Sequence, residues 1–224
     1  MVEFGIPPAG TGMRRPIELP PAPDVDPYQD PLALAVVKEV FERGKDASEA
    51  GVIARAGVSK AAFLERYASL EDCAADAYKR FIADYERQIG RAFNAHPDWR
   101  TSLRAAAYVT ADWMDKNPVL VSFGMTGVLQ MKSERARLLR EEVFVFCAGL
   151  IDLGRTEPGS QATADGSAAT YAVGSIVQLL THRLQAGEIF DPHEIVPEMM
   201  YSIVRIYLVD EAADEELVLP RPTA

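Results

Sequence analysis

The groups able to move a proton, bind a metal or act as a nucleophile are few, and their spacing serves none of these reactions. The histidines are His96, His182 and His193. His96 precedes Pro97 and His193 follows Pro192, so both read as residues at helix ends, while His182 reads as facing a helix partner or solvent. No His-x-x-x-His or Cys-x-x-Cys pair supplies the ligand spacing of a zinc site. Nucleophile-elbow, phosphate-loop and dinucleotide glycine motifs are also missing. Asp112 and Asp115 flank Trp113 at i, i+3, and Glu141 and Glu142 precede an apolar run; both pairs fit a solvated helix face. Cys73 and Cys147 fall inside helix-like segments and read as small apolar residues in a reducing cytoplasm. Neither catalysis nor a cofactor or metal is expected.

A different chemistry lies in the hydroxyls and cations of Ser48, Ser59, Lys60 and Arg66. Ser48 suits the N-cap of a short helix that ends at Gly57, where the chain turns sharply and a positive φ is often needed. Ser59 then caps a second short helix running to about Tyr67. Val52, Ala56, Val58, Phe63 and Tyr67 would lock the two helices at a steep angle, leaving Lys60, Ala61, Leu64 and Arg66 off the core. The second helix of such a unit presents its N-terminal residues to base edges in the DNA major groove. Its first-turn amides and the Ser59 hydroxyl suit a phosphate. Ser48, Ser59, Lys60, Ala61, Ala62 and Arg66 are therefore the candidate DNA-binding residues.

Their order in this stretch is specific. Ala56-Gly57-Val58-Ser59, then Phe63, then Tyr67-Ala68-Ser69, resembles the signature of the TetR family of bacterial transcriptional regulators. Leu32 to Gly44 resembles that family's first helix, and Glu71 to Phe81 the start of its long fourth helix. The motif likeness spans about 50 residues near the N-terminus. Two positions depart from the pattern: Leu64 stands where the family usually has tyrosine, and Leu70 where it usually has lysine. Both family residues commonly touch phosphates, and each lost contact should flatten the salt dependence of binding by about one unit. Ala62 also replaces a frequent threonine and Ile53 a frequent alanine.

The elements that must position these residues are all helical. Leu32, Val36, Val37, Val40 and Phe41 recur at helical spacing before Gly44, and a fourth helix is expected from Leu70 to about Ala95. Further helices are expected near 99–116, 119–130, 132–154, 167–187 and 192–212, with breaks at His96-Pro97-Asp98, Asn117-Pro118 and Arg155 to Gly166. No segment alternates with period two. The fold class is all-α: an N-terminal three-helix helix-turn-helix domain (32–78) joined to an all-helical ligand-binding and dimerisation domain (79–212). Residues 1–31 hold eight of the 15 prolines and are expected to form a disordered arm. Arg14 and Arg15 are the residues a minor-groove arm would use, although a plain leader is the expectation. Residues 213–224 are expected to be an acidic, flexible tail.

Charge sharpens the expectation and strains it. The net charge is −10, which argues against non-specific coating of nucleic acid. Residues 32–80 carry eight basic and eight acidic groups, so the DNA-binding segment is the least acidic part without being basic. No apolar run approaches the ~18 residues needed to span a bilayer, and no signal peptide is visible at the start, so a cytoplasmic protein is expected.

The resemblance implies a homodimer through the helices near 167–187 and 192–212, a pseudo-palindromic double-stranded operator, and a small-molecule effector. Tyr108, Trp113, Phe123, Met125, Met131, Phe144 and Tyr171 are the candidate pocket residues, suited to a mostly apolar ligand. The leading expectation is a ligand-responsive repressor. The alternative is a TetR-like small-molecule binding or interaction protein whose DNA binding has weakened or lapsed.

Overall fold

The computed structural model describes residues 16–131, 133–161 and 167–223, and among these the chain forms helices and no strand. In order they are α1 (Pro31–Arg43), α2 (Glu49–Ala56), α3 (Lys60–Arg66), α4 (Leu70–Asn94), α5 (Trp99–Lys116), α6 (Pro118–Ser122), α7 (Val128–Gln130), α8 (Glu134–Asp152), α9 (Ser167–Gln185), α10 (Pro192–Tyr207) and α11 (Asp210–Glu216). Most expected boundaries fall within a few residues of these. The chain divides into two compact units, one of Pro20–Arg87 with Lys116–Val143, the other of the remaining residues. The unit that holds the three short helices is thus larger than 32–78.

In that unit α1 starts where local chemistry dictates. Pro31 sits at the first helical position and the Asp30 carboxylate accepts from the Leu32 amide at 3.0 Å, satisfying a donor that helix geometry leaves open. Gly44, at φ +54°, ends it. Val36, Val40, Val52, Phe63 and Phe81 are buried together with Phe123. The single helix expected over 119–130 is instead α6, a π-helical turn at Phe123–Gly127, and α7. Close packing accounts for this. Gly124 and Gly127 lie so close to Tyr78 and Val40 that a side chain would crowd them, and the Thr126 hydroxyl donates to the Ser122 carbonyl at 2.8 Å. The extra residue of the π-turn places Phe123 edge-on to Tyr78, with ring centroids 6.1 Å apart.

The proline-rich arm is not free where it is described. In this unit the Arg87 guanidinium donates to the Pro20 carbonyl at 2.9 Å, and the Tyr28 hydroxyl donates to Asp84 at 3.1 Å. In the other unit the Ile17 backbone exchanges two 2.9 Å hydrogen bonds with the Asn94 side-chain amide, while Leu19 lies against Gly90. Residues 16–30, expected to belong to a disordered arm, thus carry side-chain and backbone contacts to α4. Proline forbids helix there, but an extended backbone is well matched to a row of polar side chains on α4. Arg14 and Arg15 lie outside the described residues.

The second unit is organised around Trp99. Its indole N–H donates to the Leu150 carbonyl at 2.9 Å, its ring meets Tyr207 edge-on at 5.4 Å, and Gly154 passes so close to it that no side chain would fit. Val196, Met200, Ile203 and Val204 bury one face of α10, which packs on α9 and α11. The C-terminal segment departs from the expected flexible tail. The helix expected to run to 212 stops at Tyr207, and α11 follows. Glu216 is fully buried, accepting from Arg100 at 2.8 Å and pairing with Arg104. An acidic composition suggested solvation, but two α5 arginines neutralise the one carboxylate that is taken inside.

Beyond α11, Arg221 pairs with Asp112 and lies over the Tyr108 ring, its guanidinium 5.6 Å from the centroid. Asp112 also receives His193 Nε2 at 2.8 Å, while His193 Nδ1 lies 2.6 Å from Asp191. Arg221, followed by His193, holds the Asp112 carboxyl down at about 2, despite some burial. Hydrogen bonding to Asp112, then to Asp191, raises the His193 pKa. Folding therefore favours the imidazolium. Its stabilisation is complete below the ordinary histidine value of about 6.5 and is lost as pH rises through the raised value. The melting temperature should fall between pH 6 and pH 9 by more in the wild type than in His193→Asn, as read by circular dichroism; parallel curves would contradict this.

Candidate nucleic-acid interface

The helix-turn-helix is built from its caps inward. The Ser48 hydroxyl accepts from the Gly51 amide at 3.1 Å and opens α2. Gly57 closes it in the left-handed region (φ +66°, ψ +27°), its amide donating to the Ile53 carbonyl; a residue with a Cβ would be strained at that turn. Two residues later the Ser59 hydroxyl accepts from the Ala62 amide at 3.1 Å and opens α3. Val52 and Phe63 are fully buried, and Phe63 packs against Tyr67 with centroids 5.8 Å apart. Those contacts fix which side of α3 is outermost. Lys60, Ala61, Leu64 and Glu65 are exposed and Ala62 is half-buried.

Two buried carboxylates hold the unit in place, and sequence reasoning assigned neither. Glu39 on α1 accepts from Arg55 at 2.7 Å and from the Ser48 amide at 3.3 Å, so it ties the start and end of α2 to α1. Burial pushes its pKa up, but the Arg55 and Ser48 hydrogen bonds prevail and the net shift is downward. Asp30 joins three elements: it caps α1 and pairs with Arg66 of α3 at 2.6 Å and with Arg80 of α4 at 2.7 Å. Here too burial opposes ionisation, while the two arginines hold the carboxyl well below the usual carboxylate range. The Tyr67 hydroxyl accepts from both arginines and donates to Asp76 at 2.9 Å. Asp30 precedes a proline at a helix start, a position that favours a cap, but its long-range partners are not legible in the sequence.

Arg66, expected at the DNA, is therefore largely committed elsewhere. Its guanidinium is turned to Asp30 and Tyr67, although its side chain remains 45% exposed. Arg66 and Tyr67 also line a polar groove of about 280 Å³ with Asp72, Asp76 and Arg135, and the Asp72–Arg135 pair spans it at 3.0 Å. Ser48, Ser59, Lys60, Ala61 and Ala62 lie on the α2–α3 corner. Leu70 begins α4 half-buried. Burial, aided by Asp30 and Asp76, pushes the Cys73 thiol up to about 12, an inert core position.

The candidate ligand residues divide between the two units. Phe123, Met125 and Met131 belong to the unit just described, where Phe123 is core against Tyr78 and the two methionines are half-buried. Tyr108, Trp113, Phe144 and Tyr171 belong to the other. There Tyr108 stacks on His193 at 6.4 Å, Trp113 and Phe144 are half-buried, and Tyr171 is 72% exposed on α9. Phe123 and Tyr171 thus sit at opposite extremes of burial, one filling core and the other outward on its helix. Among the described residues no group of three or more His, Cys, Asp or Glu is placed to hold a metal ion, and no helix is long and apolar enough to cross a membrane.

An all-helical chain that opens on a helix-turn-helix has a defined set of structural relatives. No family model matches the sequence, nor does any curated protein. Solved structures do match. The fatty acid degradation regulator FadR from Bacillus halodurans superposes with a TM-score of 0.69 at 16% identity, over 78% of this chain and 97% of its own. The transcriptional regulator FadR from Bacillus subtilis, in complex with stearoyl-CoA, gives 0.67 at 13%, over 79% and 97%. A candidate TetR family transcription regulator from Shewanella sp. PV-4 gives 0.62 at 12%, over 83% and 99%. The chain has the fold of the TetR-type transcriptional regulators.

Gly51 tests how this corner is assembled. Any Cβ at that position would run into the buried Glu39 carboxylate, which Arg55 and the Ser48 amide prevent from moving aside. Gly→Ala in a helix usually stabilises through propensity. At Gly51 the same change should instead destabilise by about 1–3 kcal/mol through overpacking, measured by urea unfolding. A neutral or stabilising result would show that Glu39 is free to swing out.

Proposed function

We propose that this protein is a DNA-binding transcriptional regulator that acts as a homodimer and responds to a small molecule, most simply as a repressor. The observation that carries the reading is the α2–α3 corner: two capped helices joined through a left-handed glycine, with one face of α3 locked by Phe63 and Tyr67 and the other exposed. That arrangement leaves a short helix free to enter a major groove. The fold shared with the FadR chains supports it.

For dimerisation the support comes from α9. Tyr171 and Leu179, 72% and 44% exposed, lie two turns apart on one face, with Ser175 exposed between them. A stripe of this kind in a single chain gains from cover by a second copy. By contrast α10 buries its apolar face within its own chain, so α9 is the stronger half of the expected pairing. Two recognition helices related by a two-fold axis suit a pseudo-palindromic operator. The B. subtilis FadR holds stearoyl-CoA; a ligand with a long apolar tail agrees with the methionine and aromatic content of α5 to α8 in this chain.

One observation favours the second reading, a small-molecule binding or interaction protein whose DNA contact has weakened. Of the two exposed cations of α3, Arg66 is paired with Asp30, which leaves Lys60 to make most of any charged contact with DNA. Selection of random or genomic duplexes by the purified protein at low salt decides between the readings. Enrichment of an inverted repeat is expected, and failure to enrich any sequence overturns the regulator. With that duplex, Lys60→Ala should reduce the slope of log affinity against log salt by about one unit per recognition helix. Arg66→Ala should lower the unfolding temperature and change that slope much less.

A further inference from the structure

We infer that Leu64 is a specificity-determining residue that seats the C5-methyl group of a thymine in the major groove. The inference rests on the DNA-binding reading above and gives the chemistry of its contact. Leu64 follows directly on Phe63, the buried anchor of α3, yet is itself 50% exposed. Phe63 and Tyr67 fill the inner face of this helix, so the exposed half of Leu64 lies outside the core of the unit.

Its neighbours narrow the occupant. Lys60 lies one turn earlier on the same side, at i−4, where its stem can flank the leucine. Ala61 is exposed and small, so the helix can approach a surface closely, and Ala62 adds no bulk. The guanidinium of Arg66 is turned back to Asp30 and Tyr67 although its side chain is 45% exposed, so the outer face carries Lys60, the Glu65 carboxylate and part of a paired arginine. A face so poor in charge offers few phosphate contacts beyond Lys60 and the first-turn amides. Among the groups that base edges present in the major groove, the thymine methyl is the apolar one, and aliphatic side chains recognise it by contact. Glu65, on the same exposed side, has the acceptor chemistry to take a cytosine N4 amino proton. A protein surface is the other possible occupant of an exposed leucine, and the experiment separates the two.

The test uses the full-length protein and the duplex enriched by selection, with each thymine replaced in turn by deoxyuridine. This deletes one methyl group and leaves base pairing intact. At one position per half-site the wild type should lose about fourfold in affinity, the transfer value of one buried methyl converted to an equilibrium ratio. Leu64→Ala should bind the thymine and uracil duplexes equally, with an unchanged unfolding temperature showing that it folds. Lys60→Ala should weaken binding to both duplexes and keep the discrimination. The inference is overturned if the wild type is indifferent to uracil at every position, or if Leu64→Ala retains the preference. Failure to enrich any duplex would overturn the regulator reading and this inference with it, whereas an enriched but methyl-blind operator would overturn the inference alone.

Discussion

The helix-turn-helix unit depends on a carboxylate that is almost completely out of water. Asp30 is 3% exposed, caps the first helix, and receives one arginine from the recognition helix and another from α4. Taking a lone carboxylate inside would be prohibitive. Two guanidiniums and a backbone amide make it tolerable and fix the angle at which three helices meet. Because both arginines also reach the Tyr67 hydroxyl, the end of the recognition helix cannot shift without disturbing a coupled set of charged hydrogen bonds. Replacing one partner would leave another buried charge exposed to the same penalty. Glu39 repeats the device further along α1, joining it to both ends of α2. The recognition helix is seven residues long, too short to hold itself, so its orientation comes from these anchors together with Phe63.

Much of this architecture can be read from residue order because it rests on local rules. Ser48, Gly57 and Ser59 each act within four residues of themselves, and Pro31 and Pro192 mark helix starts by geometry alone. The all-helical class and most helix ends follow. What could not be read involves pairs far apart in sequence. Asn94 meeting Ile17, Arg104 meeting Glu216 and Arg221 meeting Asp112 turn an expected loose arm and an expected acidic tail into docked segments. Composition averages over just those partners. The π-turn at Phe123–Gly127 escaped for a related reason: it answers to the proximity of Tyr78 and Val40, which a local pattern does not encode. Arg66 shows the same limit at the site. Its position on the helix correctly placed it off the core, but a buried acid at the first helix start claimed its charge.

The engagement of Arg66 bears on the affinity problem that the composition poses. On the proposed function, a neutral helix-turn-helix segment on a chain of net charge −10 would gain little from counterion release, the term that supplies most non-specific binding. Any affinity must then come from contacts that do not scale with charge and from linking two weak heads. In the proposed dimer, once one α3 were seated the second would act at an effective concentration set by the dimer geometry rather than by bulk protein, so two modest half-site energies would nearly add. An operator read in this way would be bound less tightly than one gripped by a ring of lysines, but with a weaker dependence on salt and less loss to random sequence. The same logic makes the spacing of the two heads the natural quantity for a ligand to control. When each head contributes little, a change in spacing that prevents both from seating together removes most of the affinity, and a coupling of a few kcal/mol is sufficient for a useful switch.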